Sequence, residues 1–105
     1  MKNCVIYCTV PNEFTGNLIA NTLVEEKLAA CVNIVPEITS VYTWQDVVQT
    51  EKEYLLIIKT QEDLFEKVER TIKSLHENTV PEIIALPIIK GSKEYQEWIV
   101  KETEI

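Results

Sequence analysis

Apolar side chains recur along this chain with two periods, and the switches between them mark out its elements. Cys4-Val5-Ile6-Tyr7-Cys8-Thr9-Val10 is a β-branched and apolar run that Pro11 stops, which predicts a first strand. Asn12 suits a helix cap. Ile19, Ala20, Leu23, Val24 and Leu28 then return at helical spacing, so a helix is expected over 13–28. Gly16 lies in its first turns, at a cost of up to ~1 kcal/mol relative to alanine. Residues 31–48 read as one long extended arm, with Val32, Ile34, Ile38, Tyr42 and Trp44 at even positions and an irregularity at Pro36. A buried strand is expected over 53–60, around Tyr54-Leu55-Leu56-Ile57-Ile58. Thr60-Gln61-Glu62-Asp63 has the spacing of a capping box, with Asp in place of the usual Glu or Gln. Leu64, Val68, Ile72 and Leu75 form one stripe of a second helix. Pro81 ends the break after it, Ile83 to Ile89 reads as a fourth strand, and Ser92 opens a short last helix carrying Tyr95, Trp98 and Ile99.

The order is β-α-β-β-α-β with a C-terminal helix. It predicts an α+β, ferredoxin-like fold with an antiparallel sheet, built as a single domain over 1–105. In such a two-layer arrangement the helices cover one sheet face, so strands should alternate apolar and polar positions. Residues 54–58 and 83–89 are instead apolar throughout, apart from the small Ala85, and Pro87 suits an edge strand. The second face therefore needs cover, most simply from copies of the same chain. The alternative is that the last helix and the 31–48 arm cover it within one subunit.

Composition narrows the function. With 105 residues, 46% hydrophobic and 26% charged, the chain holds one core and is not disordered. Ten basic against 17 acidic residues leave a charge of −7, which repels phosphate backbones and argues against nucleic acid. Arg70 is the single arginine, the two glycines cannot build a Walker or GxGxxG loop, and one histidine excludes HExxH and three-histidine metal sites. The three cysteines, odd in number and without a CxxC, suit a reduced, cytoplasmic setting. No stretch approaches the ~20 apolar residues of a membrane span, and the run from Cys4 to Cys8 is too short for a signal-peptide core.

Topology decides which chemistry can meet. The expected fold gathers Cys8, His76 and Glu82 at one end of the sheet and Leu28, Cys31, Lys59 and Thr60 at the other. A thiol, an imidazole and a carboxylate would suit copper or zinc better than magnesium or calcium. The competing reading makes Cys8 a small core residue and His76 a helix-end residue. Cys4 and Cys8 stand about 13 Å apart on a strand and cannot share a disulfide or one metal ion. A second constellation, Tyr42, Trp44, Tyr95 and Trp98 with Lys59, could line a ligand cleft or pack an interface. Cys31 is expected to be buried where helix meets strand. No nucleophile–base–orienter set can be named, so an enzyme is not expected: Ser74 and His76, two apart on a helix, do not face each other.

Certain segments carry a resemblance. Lys27-Leu28-Ala29-Ala30-Cys31-Val32-Asn33-Ile34, Ser40-Val41-Tyr42-Thr43-Trp44, Ile58-Lys59-Thr60, His76 with Val80-Pro81-Glu82-Ile83, and Tyr95-Gln96-Glu97-Trp98-Ile99 occur in the order seen in the CutA divalent-cation-tolerance family. The chain resembles that family over nearly its whole length. The resemblance implies a tight homotrimer with packed sheets, a cytoplasmic location and a role in tolerance of copper and other divalent cations. It also implies an architecture similar to the P-II signalling proteins, which bind effectors between subunits. In some members the copper ligands match Cys8 and His76, with Glu82 the candidate third here. Three positions depart from the pattern. Glu77-Asn78-Thr79 replaces Pro-Tyr-Glu, Leu75 replaces a second histidine, and Asp46 replaces a glycine, which suggests a different turn at the arm tip. The rival readings are a P-II-like trimer holding a small ligand in its intersubunit cleft, through Trp44, Lys59, Tyr95 and Trp98, and a structural trimeric scaffold.

Overall fold

The fold is taken from a computed structural model that describes residues 2–103. Its elements are β1 (Asn3–Val10), α1 (Glu13–Glu25), β2 (Cys31–Trp44), β3 (Val47–Gln61), α2 (Phe65–Leu75), β4 (Ile83–Pro87) and α3 (Lys93–Glu102). The strands form one antiparallel sheet in the order β2-β3-β1-β4, the ferredoxin-like arrangement expected from the element order.

Each helix begins and ends for local reasons. The Asn12 side chain accepts the Thr15 N–H at 2.8 Å and so starts α1. The helix stops at Glu25, three residues short of the expected Leu28. Lys27 turns left-handed (φ 59°), and the Leu28 and Ala29 N–H groups both fold back onto the Leu23 carbonyl. That closure drops Leu28 onto the core as loop and satisfies a free helix-end carbonyl. The capping box at Thr60 does not form. Thr60 is still in the sheet, paired with Cys4, and its buried hydroxyl donates to the Leu28 carbonyl at 2.6 Å. A single 3-10 turn, Glu62–Leu64, follows, and α2 starts at Phe65 without a side-chain cap. Ser92 does cap α3, accepting the Tyr95 N–H.

The arm is a hairpin. Trp44 pairs with Val47, and the two residues between them, Gln45 and Asp46, both have positive φ, 51° and 65°. This is the two-residue turn whose twist matches that of the flanking strands. The third strand therefore begins at Val47 rather than at 53. Residues 47–52 hid this in the sequence because the arm projects beyond the helices, where its residues are mostly exposed and no one-sided pattern is required. The irregularity expected at Pro36 is a bulge between Val35 and Ile38, with Glu37 left-handed at φ 52°. Asp46 occupies a conformation that glycine adopts freely, so the tight turn persists without the glycine.

The core lies between the sheet and helices α1 and α2. Cys4, Ile6, Cys8 and Val10 of β1 meet Leu56 and Ile58 of β3, Ile19 and Leu23 of α1, and Val68 and Ile72 of α2, all essentially inaccessible. Alternation then sends Val5, Tyr7 and Thr9 to the opposite face, beside Lys59, Ile57 and Leu55 of β3 and Leu86 and Ile84 of β4. Helix α3 does not cover this face. It closes one end of the sheet, burying Ile99 and bonding Gln61 to Thr103 and Asn3 to Gln96. Ile84 and Leu86 remain 51% and 43% exposed, so neither α3 nor the arm shields them within one chain.

Asp46→Gly should stabilise the folded protein by about 0.5–1 kcal/mol, because a left-handed side-chain residue is exchanged for one without that steric cost. Denaturant unfolding of the two proteins measures it, and an unchanged or lowered midpoint would show that the turn is not strained.

Candidate functional site

At the end of the sheet where β1 finishes, a groove of about 820 Å³ opens between the arm and the segment leading into β4. Its acidic lining is Glu51, Glu53, Glu77 and Glu82, with Thr9, Tyr42 and Trp44 among its other walls. Sequence reasoning named only Glu82 of the four carboxylates. Glu53 lies at the edge of a strand read for its apolar residues, and Glu51 belongs to the unrecognised half of the hairpin. Two of the carboxylates already have partners. Glu77 accepts from Asn12 at 3.1 Å and from the Thr15 hydroxyl, and so ties the segment after α2 to the start of α1. Glu51 accepts from the Tyr42 hydroxyl, which pushes that phenol up to about 12.

Cys8, His76 and Glu82 are all brought to this end, as the topology required, but they do not share a surface. Cys8 is on the helix-covered face with Ile6 and Val10, at 0% exposure, while Thr9 is the neighbour that lines the groove. Desolvation, with the negative charges of Glu82 and Glu53 adding to it, pushes the Cys8 thiol up to about 12. His76 stands just past α2 with both ring nitrogens engaged. Nδ1 accepts the Asn78 N–H at 3.0 Å, which leaves Nε2 to donate to the Thr9 carbonyl at 2.7 Å. The imidazole pins the loop after α2 to the end of β1. A sealed thiol and a doubly bonded imidazole do not fit a copper centre in this arrangement, since each ligand must first lose a proton or a bond. Glu82 is exposed and is the member of the trio with a side chain open to a cation.

The other end of the sheet holds the remaining candidates. Lys59 pairs with Cys31 across β3 and β2 on the open face, and its ammonium lies 3.9 Å from the Cys31 sulfur and in contact with the Asn33 side-chain oxygen. Cys31 is half-buried rather than sealed, because strand alternation points it away from the helices. Tyr95 reaches the same spot from α3. Desolvation and then the neighbouring Cys31 hold its phenol above the ordinary value. The Tyr95 and Trp98 rings are 5.4 Å apart. Trp44 does not join them in one chain: it is at the arm tip, and Val47, its pair, is twelve residues from Lys59 along β3, about 40 Å.

An antiparallel ferredoxin-like sheet, covered by helices on one face and flanked by an acidic groove, defines a two-layer α+β protein. Comparison with known proteins makes the assignment specific. Residues 4–102 match the family described as CutA1 divalent ion tolerance protein. The chain is 50% identical over 99 residues to the divalent-cation tolerance protein CutA of Thermus thermophilus, covering 94% of this chain and 96% of that one. It is 54% identical over 103 residues to the chloroplastic CutA of Arabidopsis thaliana, but spans only 57% of that longer protein. The structure of CutA1 from Oryza sativa superposes with a TM-score of 0.96 at 50% identity, over 99% of this chain and 95% of that one. The Thermus thermophilus structure does so at 0.95 and 49%, over 97% and 99%. The chain belongs to the CutA divalent-cation-tolerance family.

The raised thiol has a consequence for stability. Folded Cys8 holds its proton to about 12, whereas its ordinary value is 9.0. Between those values the unfolded chain releases a proton that the folded chain keeps. Stability is thus intact below pH 9 and falls above it, by up to about 1.4 kcal/mol per pH unit. Unfolding curves at pH 7 to 10.5 should show the fall, and Cys8→Ala should reduce its slope by roughly that amount per unit. Equal slopes in the two proteins would mean that the buried thiol is not its source.

Proposed function

We propose that this chain works as a homotrimer that serves divalent-cation tolerance by holding metal ions, copper among them, in acidic grooves at the subunit boundaries. One observation carries the reading: the groove and the uncovered apolar face lie on the same side of the sheet, since Thr9 lines the groove and shares its face with Val5 and Tyr7. Closing that face with copies of the chain places each groove beside a neighbouring subunit. The role is binding rather than catalysis, and the three free thiols suit a reducing compartment such as the cytoplasm. Relatives named as divalent-cation tolerance proteins favour this role over a P-II-like effector site.

Apolar cover by a partner predicts the state of association. Sedimentation at micromolar concentration should give about three times 12.1 kDa. Ile57 faces the open side, so Ile57→Asp should dissociate the assembly, because burying an unpaired carboxylate there costs several kcal/mol. A wild-type monomer would refute the association, and an Ile57→Asp trimer would show that this face is not the contact.

The metal reading is tested by calorimetry with Zn²⁺ and Cu²⁺ at pH 6 and pH 8. Glu82→Gln should weaken binding at least about tenfold, with little change from His76→Ala or Cys8→Ala. With neither the thiol nor the imidazole as a ligand, affinity should be nearly level between the two pH values. Affinity that climbs steeply with pH and vanishes in Cys8→Ala or His76→Ala would return the site to the thiol and imidazole.

A further inference from the structure

Lys59 is the one half-buried lysine or arginine among the described residues. It stands on the open sheet face beside Val5, with Ile57 the next open-face residue along its own strand. Its polar contacts are neutral, the Asn33 oxygen and the Cys31 sulfur. The one ion pair among the described residues is Lys73–Glu69, on the far helix. A partly desolvated ammonium on an apolar face, in a chain of charge −7, calls for a counter-charge that the described part of its own chain does not provide.

The groups around Lys59 have the chemistry to hold an anion. The Asn33 amide can turn its NH₂ outward once an anion takes over Lys59. The Tyr95 hydroxyl sits beside Cys31, and the tilted Tyr95–Trp98 pair supplies an aromatic wall next to these polar groups. This combination of one charge, a few oriented donors and an apolar side is how small organic anions are held. It lies at the opposite end of the sheet from the acidic groove and does not depend on the metal reading.

We propose that Lys59, Asn33 and Tyr95, with Cys31 at the rim and Trp98 as the wall, form a binding site for a small organic carboxylate. The carboxylate bridges the Lys59 ammonium and the Tyr95 hydroxyl, and its apolar portion lies against the ring pair. Tyr95 and Trp98 thus select for an apolar tail, and Lys59 for the charge.

Cys31 makes the site testable in the native assembly. Cys4 and Cys8 are at most 1% exposed, so Cys31 is the thiol a reagent can reach. The probes are iodoacetate and iodoacetamide, which carry out the same S-alkylation with loss of iodide and differ in charge. Any general activation of the thiol by Lys59 affects both reagents, so their rate ratio at Cys31, followed by peptide mass mapping, isolates recognition of the carboxylate. The ratio should exceed that of the unfolded chain by at least about tenfold. It should collapse to the unfolded value in Lys59→Met, persist in Lys59→Arg, and fall in wild type when phenylacetate competes, but not with the neutral phenylacetamide. A ratio equal to that of the unfolded chain would overturn the site, as when a neighbouring subunit's carboxylate already neutralises Lys59. So would a Cys31 unreactive to both reagents until the protein unfolds. The ratio is read in whatever assembly sedimentation finds, so its failure and the failure of the trimer are separate results.

Discussion

Successive side chains on a strand point to opposite faces of the sheet, and here that alternation allocates the thiols, Thr9, Asn33 and Lys59. Cys4, Cys8 and Thr60 go to the helix side and become core. Thr9, Lys59, Cys31 and Asn33 go to the open side. A shift of one residue in the register of β1 would exchange Cys8 for Thr9 and expose the thiol. The register is held because Ile6, Val10, Leu56 and Ile58 all need the helix-covered face at once.

The same allocation separates the charges. Carboxylates of the arm and of the segment before β4 gather where β1 ends, while the half-buried Lys59 sits at the end closed by α3. A strongly acidic chain thus carries an acidic groove at one end of the sheet and a half-buried lysine at the other. The apolar area between them, from Val5 and Tyr7 across to Ile84 and Leu86, is not covered by the chain's own helices. In the proposed trimer, both ends would lie at the rim of the subunit contact, where polar groups retain some access to solvent.

Positions that depart from the family pattern are accommodated by local physics. Asp46 holds the left-handed turn position without a glycine, at a steric cost confined to the arm tip. Glu77 gains its own role by tying the loop to Asn12 and Thr15. His76 acts as a brace between the loop and β1.

The element order, the four-stranded sheet, the edge position of Pro87, the irregularity at Pro36 and the uncovered apolar face were all legible in the sequence, because each follows from local propensity or from a period repeated over many residues. The gathering of Cys8, His76 and Glu82 at one end followed from topology alone. What the sequence could not determine was orientation and contact. Whether Cys8 or Thr9 faced a ligand depended on which face the helices covered, and whether the His76 nitrogens were free depended on Thr9, 67 positions away. The hairpin turn at Gln45-Asp46 lacked the glycine that would have announced it, and the exposed strands beside it carried no one-sided pattern. The capping box at Thr60 failed because the sheet kept that residue and Leu28, distant in sequence, took its hydroxyl. Periodicity and propensity act between near neighbours along the chain; burial and hydrogen-bond partners are set between residues that only the folded chain brings together.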